Sequence, residues 1–215
     1  MTHDASELEK QLIVAAQSGD RRAFDEIVLR HKAVLYRFVR RYVGDADEAY
    51  DVLQNTFVAA WLALRRFDHR KPLIAWLRTI ALNKCRDDGR RRGVRRRILA
   101  LFAGDWASAH APIDPSSDDA YDDGDSHYLA RLDRAIAALP RQYKEPILLT
   151  LVAGLTQQQA AEQLRTSPKA IEMRIRRGKE RLRQLCQREH SSGRYIGDLW
   201  WVALDESGTG GSGTS

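Results

Sequence analysis

Apolar residues in this chain recur at the spacing of a helix face, and nowhere do they alternate as in a half-buried strand. That pattern confines the chain to helices packed on helices, an all-α fold. The helical pattern falls in two blocks, with an aperiodic stretch rich in Asp, Pro and Ser between them. The chain has 215 residues and 43% apolar content, enough for two small cores. It lacks any run of about 18 apolar residues, so direct membrane insertion is not expected.

In the first block, Leu8, Leu12, Ile13 and Ala16 mark one helix, broken at Ser18-Gly19-Asp20. Asp20 is placed to cap a second, whose stripe is Phe24, Ile27, Val28, Leu35, Phe38, Val39 and Tyr42. Gly44 suits a C-terminal stop, and Asp45 with Glu48 resembles a capping box for a third helix. The third helix is expected to bury Val52, Leu53, Phe57, Ala60, Trp61 and Leu64. Phe67–Pro72 reads as a break. A fourth helix runs over Leu73–Arg92, with Trp76, Leu77, Ile80 and Ala81 on its apolar side, and Gly93 interrupts the basic run that follows. Ile98–Trp106 allows one or two helical turns, and Ala111–Ser126 reads as a flexible or ordered-on-binding linker.

The second block opens with Leu129, Leu132, Ile136 and Leu139, stopped by Pro140. Tyr143–Val152 follows, ended by Gly154. Thr156 with Gln159 forms a capping box for a helix with small Ala160 and Ala161, and then Leu164. Ser167-Pro168 gives a strong start for the last helix, which carries Ile171, Ile175, Leu182 and Leu185.

Charge follows the same division. Residues 1–97 hold 21 basic and 13 acidic side chains; residues 98–130 hold seven Asp and no Lys or Arg; residues 131–190 hold 13 basic and six acidic. The overall balance of +6 conceals two basic blocks joined by an acidic spacer. Basic blocks fit a polyanion partner or, equally, solvated helix faces. Cys85 and Cys186 lie too far apart for a zinc spacing and read as reduced thiols of a cytoplasmic protein. The polar start MTHDASELEK has no signal core. No phosphate loop, metal-ligand cluster or nucleophile–base set occurs, and the six His are scattered. An enzyme, a cofactor, a metal and a small-molecule substrate are therefore not expected.

Thr156–Leu185 has the parts of a helix-turn-helix: a capped helix, a turn at Arg165-Thr166-Ser167, and a second capped helix. That second helix is expected to expose Lys169, Glu172, Met173, Arg174, Arg176, Arg177, Lys179, Arg181 and Arg183, a composition suited to a major groove and its phosphates.

With these parts in order the chain resembles the extracytoplasmic-function sigma factors of bacterial RNA polymerase. LDRAIAALPRQYKEPILLTLVAGLTQQQAAEQLRTSPKAIEMRIRRGKERLRQL is similar to their fourth sigma region, and DEAYDVLQNTFVAAWLALRRFDHRKPLIAWLRTIALNKCRDDGRRR to their second. The resemblance implies a second-region domain over 1–92, an acidic linker over 93–127, a fourth-region domain over 128–190 and an extension over 191–215. It implies core polymerase (the β′ clamp and β flap), promoter DNA and an anti-sigma factor as partners.

The resemblance also implies roles. Asp51 and Gln54 match contact positions for the clamp, while Asn55 stands where the family commonly has Glu. Asn83 matches the residue that captures a flipped minus-ten base, and an amide offers both donor and acceptor to a base edge. His69, Arg70 and Lys71 are expected to wall the pocket, with Lys84, Arg86, Arg90, Arg91 and Arg92 along phosphates. Trp76 and Phe67 are expected in the core rather than stacked on a base.

The minus-35 reader would be the last helix, with Glu172, Met173, Arg176 and Arg177 at base edges and Lys169, Arg174 and Lys179 beside them. Glu172 and Met173 replace a basic and a small polar residue of the family pattern, so the family's promoter consensus is not carried over. The spacer carboxylates Asp114, Asp118, Asp119, Asp122, Asp123 and Asp125 either solubilise a tether or imitate RNA phosphates in the polymerase exit path. The alternative to the whole is a helix-turn-helix regulator that never binds polymerase. Tyr195–Leu204, with Trp200-Trp201, is an apolar stretch that would need to dock, and Ser207–Ser215 is a flexible run, appended or natural.

Overall fold

The computed structural model describes the backbone of residues 2–102 and 132–188, and side chains within 7–94 and 132–185. The spacer carboxylates, Leu129 and the 195–215 stretch, and the side chain of Cys186, lie outside the described residues. All regular elements among the described residues are helical: α1 (Thr2–Gln17), α2 (Arg21–Val43), α3 (Ala46–Ala63), a 3₁₀ turn (Leu64–Arg66), α4 (Leu73–Phe102), α5 (132–138), α6 (Arg141–Ile147), a π-helical segment (Leu148–Val152), α7 (Gln157–Leu164) and α8 (Pro168–Arg188). They fall in two compact units. The first holds α1, α3, α4 and α2 to residue 39, and the second holds α5–α8 with residues 40–45.

The first unit is built as the periodicity requires. Asp20 Oδ1 accepts from the amides of Arg22 (2.8 Å) and Ala23 (3.3 Å), starting α2. Gly44 stops it at φ +90°, its amide donating to the Arg40 carbonyl at 2.8 Å. Rings pair Phe24 with Trp61 and Tyr36 with Tyr50, so α2 and α3 run antiparallel. Ile27, Leu35, Phe38, Leu53, Ala60, Leu77 and Ala81 are at most 3% exposed and form the core. Leu8, Leu12, Val28 and Trp61, read as core from their spacing, are exposed or half-buried at its rim.

Two boundaries differ from the sequence reading. α4 does not end near Arg92; it passes through Gly93 and reaches Phe102. An isolated glycine costs a helix only about 1 kcal/mol, less than the flanking helix formers supply. The Tyr143–Val152 stripe is also not one regular helix. Pro146 lies inside α6, and its missing N–H removes one rung. The chain then widens into the π segment, with Thr150 Oγ1 donating to the Pro146 carbonyl at 2.8 Å.

The second unit buries Leu132, Ile136, Leu139, Ile147, Leu148, Leu149, Ile171 and Leu182. Its one buried carboxylate among the described residues, Glu145, accepts from Arg141 Nε at 2.7 Å. α6 crosses close to α8 at Gly178, where a Cβ would stand 2.6 Å from Ile147 Cδ1 and 3.2 Å from Tyr143 Cβ. Arg181 lies over the Tyr143 ring at 5.0 Å.

Candidate nucleic-acid interface

The helix-turn-helix is capped as its sequence predicts. The Gln159 amide donates to Thr156 Oγ1 at 3.2 Å, and the Thr156 amide donates to Gln159 Oε1 at 2.9 Å, closing a reciprocal capping box. Ala160 and Ala161 are buried, where their small size lets α7 and α8 approach. Arg165 makes the turn in the left-handed conformation (φ 52°, ψ 54°), a position that favours glycine. The Thr166 amide donates to the Ala161 carbonyl at 2.9 Å, and Ser167 Oγ accepts from the Ala170 amide at 3.2 Å to start α8.

Along α8, Ile171, Gly178 and Leu182 face the core, whereas Lys169, Glu172, Met173, Arg176 and Arg177 are exposed. The exposed set recurs at i, i+3, i+4, i+7 and i+8 and so forms one face. Arg174 and Lys179 are half-buried at its edges. Arg183 pairs with Glu180 at 2.6 Å, which turns it toward its own helix.

In the first unit, Leu73, Leu77, Leu82 and Cys85 hold α4 to the core and leave Asn83 exposed. The Asn83 amide oxygen accepts from Arg86 at 3.3 Å. Lys84 is half-buried; Arg90 and Arg91 are exposed, and Arg90 pairs with Asp87. Arg92 is placed differently from the sequence reading. It bonds Glu48 at the start of α3 and Asp88 at 2.6 Å, and thus ties α4 to α3 rather than standing free along a phosphate path.

The loop before α4 exposes His69, Arg70 and Lys71. Asp68 Oδ1 accepts from both the amide and the Nε of Arg70, each at 3.1 Å. These bonds from Arg70 hold the Asp68 carboxyl below its ordinary value. The Lys71 amide donates to the Asp68 carbonyl at 3.0 Å. Phe67 is buried against Trp76, ring centroids 4.8 Å apart, and Trp76 is half-buried.

On α3, Asp51, Gln54 and Asn55 are all exposed. Asn55 Nδ2 donates to the Asp51 carbonyl at 2.8 Å, drawing that amide back onto its own helix. Val58 and Leu62 continue the Asp51–Asn55 stripe and are 58% and 76% exposed, two apolar positions the periodicity alone did not single out. Among the described residues, no helix is long and apolar enough to cross a membrane, and no three His, Cys, Asp or Glu are grouped to hold a metal ion.

Comparison with known proteins agrees with this division. Residues 27–95 match the family model of sigma-70 region 2, and residues 129–182 that of sigma-70 region 4. The RNA polymerase sigma factor CnrH of Cupriavidus metallidurans is 36% identical over 178 residues, 82% of this chain and 93% of that protein. The solved structure of CnrH in complex with the cytosolic domain of CnrY superposes with a TM-score of 0.59 at 32% identity, covering 84% of this chain and 97% of that one. The sigma factor RpoE of Bartonella quintana, solved in complex with the anti-sigma factor NepR, shares the fold at 24% identity and a TM-score of 0.57, covering 76% of this chain and 96% of that one.

Proposed function

The chain belongs to the extracytoplasmic-function sigma factors of bacterial RNA polymerase, which direct core polymerase to promoters, and on that premise we propose how its residues divide the work. The exposed face of α8 reads the minus-35 element. Arg176 and Arg177 approach guanine edges, Glu172 accepts from a cytosine amino group, and Met173 packs on a thymine methyl. Lys169, Arg174 and Lys179 contact the flanking phosphates. Asn83 and the His69–Lys71 loop capture a flipped minus-ten base, with Lys84, Arg86 and Arg90 along the strand.

Asp51 and Gln54 dock on the polymerase clamp, with Asn55 in a lesser part because its amide is engaged with its own helix. The chain itself carries out no catalytic step, acts in the cytoplasm, and is held in reserve by an anti-sigma factor.

The observation that carries this reading is the presence in one chain of two differently built exposed surfaces, a basic face on a capped helix-turn-helix and an amide beside a basic loop. A regulator that binds only duplex DNA has no use for the second. Asn83→Ala tests it. Loss of the base-edge contact should weaken open-complex formation by about 1–3 kcal/mol while binding to core polymerase stays unchanged. Unchanged promoter opening overturns the assignment.

A further inference from the structure

We propose that Gln17, at the end of α1, is a positioning residue for the promoter-melting loop, holding the loop's entry through two backbone carbonyls. The inference rests on the reading, proposed above, of the His69–Lys71 loop as part of the element that captures a flipped minus-ten base. Gln17 Nε2 donates to the Leu64 carbonyl at 3.1 Å and to the Phe67 carbonyl at 2.8 Å. A primary amide has two N–H donors, and both are used here.

Those two carbonyls bracket the point where the chain leaves helical geometry. Leu64 opens the 3₁₀ turn, and Phe67 is extended at φ −73°, ψ 129°. The Leu64 carbonyl takes Gln17 as a second donor beside the Phe67 amide, which reaches it at 2.9 Å, whereas the Phe67 carbonyl lies past the end of the turn's own ladder. Phe67 is 6% exposed, so its carbonyl would bear a desolvation cost without the Gln17 donor, while the Leu64 carbonyl would keep its bond from the Phe67 amide. Gln17 therefore fixes where the backbone turns, one residue before Asp68.

From that point the loop is built on its own short bonds, Arg70 to Asp68 and Lys71 to Asp68, and it ends where Leu73 is buried at the head of α4. His69, Arg70 and Lys71 inherit their direction from this entry. α1 itself carries none of the residues assigned to DNA, so its contribution is positional.

The test uses the full chain with core polymerase and a promoter found by mapping transcription starts after overexpression. Gln17→Leu removes both donors at similar size, and Gln17→Lys restores a donor on a stem of similar length. The readouts are affinity for core polymerase, affinity for minus-35 duplex, and permanganate reactivity of minus-ten thymines. Gln17→Leu should lower opening by about tenfold, the loss of two modest hydrogen bonds, with both affinities unchanged, and Gln17→Lys should recover part of it.

Asn83→Ala is run beside them. If Asn83→Ala loses opening while Gln17→Leu opens as the unsubstituted chain does, the positioning role is wrong and the loop reading stands. If Asn83→Ala also opens normally, the loop reading itself falls. Should Gln17→Leu lose core binding through misfolding, Gln17→Met replaces it as a flexible side chain without donors, and normal opening by that variant overturns the proposal.

Discussion

Arg177 lies exposed one turn from Met173 on the outer face of α8, beside Arg176. A guanidinium there can take guanine through two parallel hydrogen bonds or can rest on a phosphate, and the two differ in what they discriminate. Arg177→Ala should weaken minus-35 binding by about 1–3 kcal/mol and relax selection at one base pair, as measured by competition among site variants at fixed salt. A loss equal on all sequences would make Arg177 a phosphate contact.

Gly178 is the residue-scale counterpart in the core. A methyl group there meets the Ile147 methyl at 2.6 Å and Tyr143 Cβ at 3.2 Å, and only the first can turn aside. Gly178→Ala should cost about 1 kcal/mol in a urea titration, overpacking exceeding the gain in helix propensity.

At the scale of elements, what the sequence made legible was what local chemistry dictates. Asp20, Gly44, Thr156 with Gln159, and Ser167 each act within four residues of themselves, and each stands in the structure as its spacing predicts. Thr156→Ala should destabilise the second unit by about 1 kcal/mol, read by thermal unfolding, because it leaves the Gln159 amide unbonded at the start of α7.

What escaped a local reading depends on neighbours distant in sequence or on a cost too small to stop a helix. Gln17 meets carbonyls 47 and 50 residues away. Arg92 reaches Glu48, so a residue that looks like one more phosphate contact is a tie between helices. Gly93 fails to end α4 because one glycine is a weak breaker. Gly178 carried a usable signal, since an isolated glycine inside a strong helical pattern marks close approach, and here the approaching element is α6.

At the scale of the whole molecule, the charge pattern divides the chain into two basic blocks joined by an acidic spacer. The blocks became two helical units. The first presents an amide and a basic loop, and the second a basic helix with one acidic and one thioether side chain on its exposed face. Glu172 and Met173 are exposed on α8, and with the base-edge roles proposed above, Glu172→Ala and Met173→Ala should each change selection at one minus-35 base pair, read by competition among site variants. The direct measurement is reconstitution: purified chain, core polymerase and a mapped promoter, followed by capture on core and run-off transcription. The prediction is stable capture by core and transcripts from one start site, both lost on omission of the chain. Tight binding to DNA with neither capture by core nor initiation would contradict the reading of this chain as a promoter-directing subunit.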